Sequence, residues 1–180
     1  LPGENRSGLS FQQPSDAMPL ETCETINDSW GYNVTDRSYK TVKQVIHLLV
    51  NTAGRNTNLL LNVGPMPNGE IQKEFTDTLL AAGKWLQQYG ASIYNTRGKL
   101  MPPQPWGVVT RREKQVYIHL LNQPQTSFIL LPGFNEDIAS VAIMGNGKKL
   151  KWSKVPEGVF IYHEYPEQGT VDHVIQVTVK

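Results

Sequence analysis

Apolar positions in the first hundred residues alternate between short extended runs and helical stripes. Thr22, Cys23, Thr25 and Ile26 mark a strand over about 20–26, which opens into the polar loop Asn27-Asp28-Ser29-Trp30-Gly31-Tyr32-Asn33. Val42, Val45, Ile46 and Leu49 then recur at helical spacing and predict a helix over about 38–52. Asp36 or Ser38 is expected to cap its start, and Gly54 to supply the left-handed residue that ends it. Leu59-Leu60-Leu61-Asn62-Val63 reads as a strand buried on both faces of a parallel sheet, broken by Gly64-Pro65 and followed by the turn Pro67-Asn68-Gly69. Ile71, Phe75, Leu79, Ala82, Leu86 and Tyr89 line one face of a second helix over about 70–89, stopped by Gly90. Strand-loop-helix, twice, is the unit of a β/α barrel or of a doubly wound sheet, and periodicity leaves that choice open. Residues 1–19, with Pro2, Gly3, Gly8, Pro14 and Pro19, read as irregular loop.

Past position 100 the helical period disappears. Met101-Pro102-Pro103-Gln104-Pro105-Trp106 reads as a stiff linker, because its prolines fix the backbone and remove donors. Strand patterns follow at about 107–111, 115–122, 127–131, 138–144, 148–152, 158–163 and 171–179. Val116, Ile118 and Leu120 face one way against Tyr117, His119 and Leu121. Val171, Ile175, Val177 and Val179 share a face opposite Asp172, Gln176 and Thr178. Turn signals such as Pro132-Gly133, Gly145-Asn146-Gly147 and Pro156-Glu157-Gly158 separate the runs. Short strands at this spacing predict an antiparallel β-sandwich over 107–180, serving as structural support or as a carbohydrate-binding module.

Composition narrows the classes. At 180 residues and 39% hydrophobic, the chain can build one domain or one and a half. Its 17 basic residues against 16 acidic ones are scattered, with net charge +1, so nothing points to nucleic acid or an anionic membrane. The longest apolar run, at 45–50, is interrupted by His47 and is too short to cross a bilayer. Cys23 is the only cysteine, which excludes an intrachain disulfide, and its place in a strand predicts a buried, inert thiol. The start lacks the basic-then-apolar pattern of a signal peptide. Sequons occur at Asn5, Asn27 and Asn33, though so short a tripeptide also arises by chance. His47 and His119 fall on helix and strand patterns and read as structural. His163 and His173 lie near strand ends without clustered partners, and no metal-ligand spacing is present.

The densest chemistry lies in Glu21-Thr22-Cys23-Glu24-Thr25-Ile26-Asn27-Asp28-Ser29-Trp30-Gly31-Tyr32-Asn33. Carboxylates, amides and an indole at the mouth of a strand suit a sugar, whose apolar face stacks on the ring while its hydroxyls find polar partners. The same residues also serve as turn formers and, for Trp30, as a core plug. This stretch resembles the W-E-x-C-x-[ST]-I-N-x-S-W-G-Y segment of the family 29 glycoside hydrolases, the α-L-fucosidases. Asn58-Leu59-Leu60-Leu61-Asn62-Val63-Gly64-Pro65-Met66-Pro67-Asn68-Gly69 resembles that family's N-[LY]-L-L-N-[IV]-G-P-x-x-[DN]-G. Leu79-Leu80-Ala81-Ala82-Gly83-Lys84-Trp85-Leu86 with Gly90-Ala91-Ser92-Ile93-Tyr94 is similar to its L-x-x-[VI]-G-x-W-[LM]…G-E-[AS]-I-Y. Two positions depart: Leu20 stands where the family usually has Trp, and Ala91 where many members have Glu.

The resemblance implies the C-terminal portion of a longer enzyme. Residues 1–100 would form the last two β/α units of a (β/α)8-like barrel, 101–106 a linker, and 107–180 a C-terminal β-sandwich. It implies a retaining exo-α-L-fucosidase that releases terminal α-L-fucose from glycans by double displacement, without a cofactor, and that is exported. Its partners would be a fucosylated glycan and the missing N-terminal barrel portion, which would hold the nucleophile, so this portion by itself is expected to be inactive. The other reading is a non-catalytic glycan-binding or structural module that keeps the same fold. Retaining glycosidases set two carboxyl groups about 5–5.5 Å apart. Glu21 and Glu24, three positions apart on a strand, point to opposite faces and cannot be that pair. By resemblance, Glu21 is carried over as a pocket carboxylate and Trp30 as a wall of the sugar or leaving-group subsite. Glu4, in Pro2-Gly3-Glu4, is the acid/base candidate, unless that group precedes Leu1.

Overall fold

The computed structural model describes residues 19–164 and 169–180, so Glu4 lies outside the described residues. The chain divides into two compact units, one running to Gln88 and the other from Tyr89 to Lys180.

The first unit holds β1 (Glu21–Thr25), α1 (Val42–Gly54), β2 (Asn58–Asn62) and α2 (Lys73–Tyr89). β1 and β2 pair in parallel, from Glu21 opposite Asn58 to Thr25 opposite Asn62, with α1 as the crossover. Val45, Ile46, Leu48 and Val50 bury the inner face of α1, and Ile26 and Phe75 are fully enclosed.

The start of α1 corrects the expected cap. Thr41 is the N-cap, its hydroxyl accepting from Gln44 N while the Gln44 side chain accepts from Thr41 N. Asp36 instead accepts from the Ser38 amide at 3.0 Å, a local turn that competes with helix and delays its start. The end also differs. Gly54 is the last helical residue and Asn56 takes the left-handed conformation, φ 58°. Thr57 N then bonds Thr52 O and Asn56 N bonds Ala53 O, a paired closure of the last turn that asparagine tolerates at low steric cost.

β2 was expected to be buried on both faces, yet Leu60 is 51% exposed. With two strands in the sheet among the described residues, one face of β2 has no covering layer. α2 begins at Lys73 rather than near 70, because the turn Met66–Gly69 continues through Glu70, whose amide bonds the Asn68 side chain. Phe75 and Ala82 are buried on the expected face, while Ile71 precedes the helix and is exposed.

The second unit is two antiparallel sheets. β3 (Gly107–Arg112), β4 (Gln115–Leu120), β6 (Ile138–Ile143) and β9 (His173–Val179) form one in the order β3-β4-β9-β6. β5 (Phe128–Pro132), β7 (Trp152–Val155) and β8 (Gly158–Tyr162) form the other in the order β5-β8-β7. Six strands lie within about two residues of the sequence pattern. β7 is displaced from 148–152 because the Gly145-Asn146-Gly147 turn leaves Lys149 in a single bridge to Ala142. Val109, Val116, Ile118, Ile129, Leu131, Val159, Ile161, Ile175 and Val177 fill the core.

The proline-rich stretch is not a free tether. Met101 and Trp106 are core residues, Gln104 bonds Gly107 in both directions, and Arg97 pairs with Arg111. The second unit therefore takes in residues 89–106 as well. The other face of β4 is covered too. His119 is fully buried, with Nδ1 2.7 Å from Asp172 Oδ2 and Nε2 3.3 Å from Thr110 Oγ1; the Thr110 hydroxyl donates to Ser92 O at 2.6 Å. His119 is thus a structural tie.

Candidate functional site

In a parallel sheet the loops that leave the C-terminal strand ends converge on one side, and ligands bind there. Thr25 and Asn62, register partners, are the last residues of β1 and β2. The segment 26–41 leaves the first and 63–72 the second.

The first of these loops is ordered from inside by one carboxylate. Asp36 accepts from Asn27 Nδ2 at 2.9 Å, from the Asp28 amide at 3.1 Å and from the Ser38 amide at 3.0 Å. The Ser38 amide, then the Ser29 hydroxyl, hold its carboxyl below the usual aspartate range. Asn27 is thereby buried with its amide committed, so that sequon is blocked in the folded chain, while Asn33 stays exposed.

At the strand mouth the two loops join. Asn62 Nδ2 donates to Trp30 O at 2.8 Å and to Thr25 Oγ1 at 3.2 Å. Gly64 rests on the backbone of Gly31, close enough that a Cβ on it would lie 2.5 Å from Gly31 C. Between these fastenings the Trp30 side chain projects 50% exposed. Tyr39 packs edge-on against Phe75, ring centroids 5.6 Å apart, and supports the loop's return.

The carboxylates lie elsewhere. Glu24 accepts from the Thr25 amide at 3.1 Å and faces Lys40 Nζ at 3.7 Å; Lys40 also donates to Thr25 O at 2.6 Å. Glu21 is the first residue of β1, exposed, with the Cys23 thiol 3.7 Å from its Oε1. Four strand steps at about 3.3 Å put Glu21 roughly 13 Å before Thr25, at the end of the strand away from Trp30. Cys23 is partly buried rather than enclosed in this chain, and it shares one face of β1 with Glu21, two positions away. No three His, Cys, Asp or Glu side chains among the described residues cluster as a metal site.

The structure thus brings Trp30, Thr25, Asn62 and Gly64 together and keeps Glu21 apart from them. The sequence pattern placed Asn62 and Thr25 within strands and gave neither a role at the site. The available signal was the polar residue inside the apolar run, two positions before Gly64-Pro65, where a strand gives way to a loop.

The arrangement has parallels among known proteins. A family model described as Alpha-L-fucosidase matches residues 6–91. Plasma alpha-L-fucosidase of Homo sapiens is 32% identical over 144 residues, covering 73% of this chain and 30% of that protein. Alpha-L-fucosidase isoenzyme 1 from Paenibacillus thiaminolyticus superposes with a TM-score of 0.80 at 31% identity, over 91% of this chain and 40% of that one. The chain belongs to the α-L-fucosidase family. Another solved relative, the family 29 α-L-fucosidase of Bacteroides thetaiotaomicron, superposes with a TM-score of 0.78 at 25% identity, over 89% of this chain and 38% of that one. That structure is a trapped covalent intermediate in complex with 2-fluoro-fucosyl fluoride. The chain spans about a third of the length of the curated fucosidases it matches.

Proposed function

We propose that this chain is the C-terminal portion of a retaining exo-α-L-fucosidase, with β1-α1-β2-α2 as the last two β/α units of its barrel. The observation that carries this reading is the Trp30 loop. In a chain of the fucosidase family, a half-exposed indole is held at the C-terminal ends of two parallel strands, where barrel enzymes bind substrate. There it can stack on the apolar face of a fucose or of its leaving group. The covalent intermediate of the Bacteroides relative supports double displacement as the route. One carboxylate attacks the anomeric carbon as an acid protonates the leaving oxygen; the acid then returns as base and activates water.

The nucleophile would come from barrel strands outside this chain, and Glu4, or a carboxylate preceding Leu1, would be the acid/base. Trp30 fits the mouth by its place in the fold. The role of Glu21 as a pocket carboxylate rests on the resemblance alone, since its strand position is at the opposite end. Export is the compartment that fits action on terminal fucose of extracellular glycans.

The test is hydrolysis of an aryl α-L-fucoside by the full-length protein, followed by NMR of the first-formed sugar. Fucose should appear first as the α-anomer, and the 180-residue chain alone should not turn over. Glu4→Gln should cut the rate and be rescued by azide on a substrate with a good leaving group. Release of the β-anomer would overturn double displacement. Sugar binding by the isolated chain, with no turnover by the full-length protein, would favour a glycan-binding module.

A further inference from the structure

We infer that Asn62 is a positioning residue for the sugar contact: its side-chain amide fixes the backbone of Trp30 and thereby aims the indole. This rests on the fucosidase reading of the Trp30 loop. Asn62 closes β2, and pairing of the strands does not need its side chain, because its backbone carbonyl already accepts from Ile26 N at 3.1 Å. The amide is spent across the strand ends. One donor goes to Trp30 O at 2.8 Å and the group also reaches Thr25 Oγ1 at 3.2 Å. The Thr25 hydroxyl, whose one proton is shared among Asn27 Oδ1 at 3.1 Å, Ser29 O at 3.2 Å and Asn62 O at 3.4 Å, lies against the carbonyl that leads into Trp30, while Asn62 holds the one that leads out. The next residue, Gly31, is seated on Gly64 with no room for a Cβ between them.

An exposed indole held only by its own rotamer preference would sample several directions and lose ordering entropy on binding. Clamping the peptide units on both sides of it removes part of that cost before the sugar arrives. The indole is the contact with substrate; Asn62 acts through it. Replacing Asn62 should therefore affect catalysis only as far as Trp30 contributes.

The experiment is a double-mutant cycle in the full-length protein with Asn62→Ala, Asn62→Asp, Trp30→Ala and the paired variants, assayed on an aryl α-L-fucoside. Asn62→Asp keeps the size but turns an acceptor toward Trp30 O, so it separates the lost donor from a lost volume. Each single change should raise KM, on the order of five- to tenfold for Asn62, with kcat within about twofold of the parent. In the Trp30→Ala background the Asn62 changes should have no further effect, because nothing is left to aim. Losses that multiply across the cycle, or an Asn62 effect confined to kcat and melting temperature, would overturn the proposal.

A second readout needs no turnover. With 5-fluorotryptophan in the full-length protein, and the Trp30 signal assigned by its loss in Trp30→Ala, Asn62→Asp should broaden or shift that signal and leave those of Trp85, Trp106 and Trp152 in place. An unchanged Trp30 signal would sink the link between the two residues. A parent protein that hydrolyses no α-L-fucoside, with the fluorine shift present, would sink the fucosidase reading and leave the clamp standing.

Discussion

Asp36 does at residue scale what a short loop cannot do with backbone alone: it gathers two amide N–H groups and one side-chain amide onto a single carboxylate. Hydrogen bonds to the charged form favour it, the Ser38 amide most and the Ser29 hydroxyl next, and they hold the carboxyl below the usual aspartate range. A group depressed in the folded state contributes fully above its unfolded value and loses that contribution as pH falls through the lower folded value. The Trp30 loop should therefore stay ordered at neutral pH and loosen under acid conditions, below about pH 4. NMR titration of the Asp28 and Ser38 amides should show them move together in that range, and Asp36→Asn should abolish the transition. Amides that remain unchanged down to about pH 2 would contradict this role. Sequence reading placed Trp30 in a polar loop and identified the Asn-Asp-Ser turn chemistry there. It could not find the bond between Asn62 and Thr25, because 37 positions separate the partners and only the parallel register brings them together.

Elements were legible where one period governs them. Strand alternation in the second unit located six of the seven strands, and the helical repeat of Val45, Ile46 and Phe75 found the buried faces of both helices. Helix starts were less legible, because several residues able to cap stand in a row and local turns decide among them. Asp36 is engaged by the loop, so the cap falls to Thr41 with Gln44 as its reciprocal partner. Thr41→Ala should lower the stability of the first unit by about 1 kcal/mol, read as faster amide exchange along the first turn of α1. The reciprocal bond should leave Gln44→Ala with a smaller loss. Equal exchange in Thr41→Ala and the parent would mean that packing of Val45 and Ile46 alone holds the helix.

On the scale of the whole molecule, the least legible feature was where the second unit begins. Three prolines read as a tether, yet Trp106 is only 8% exposed and lies in the sandwich core with Met101. Prolines restrict the backbone without keeping neighbouring side chains out of a core, and tertiary burial decided the outcome. Residues 89–180 should consequently fold more stably than 107–180, which would lack both side chains. The loss of Trp106 alone is worth on the order of 3–5 kcal/mol, and urea unfolding of the two segments measures it. Equal midpoints would return 101–106 to the status of a linker. The order β3-β4-β9-β6 also bears on how the protein is made. The last strand in sequence lies between two that are synthesised long before it, so β4 and β6 cannot be bridged until Val179 has left the ribosome. Until then the nascent chain carries open strand edges that invite pairing with other chains. Completion of the sandwich thus waits on β9, and a nascent chain arrested before that strand emerges would hold an open sheet.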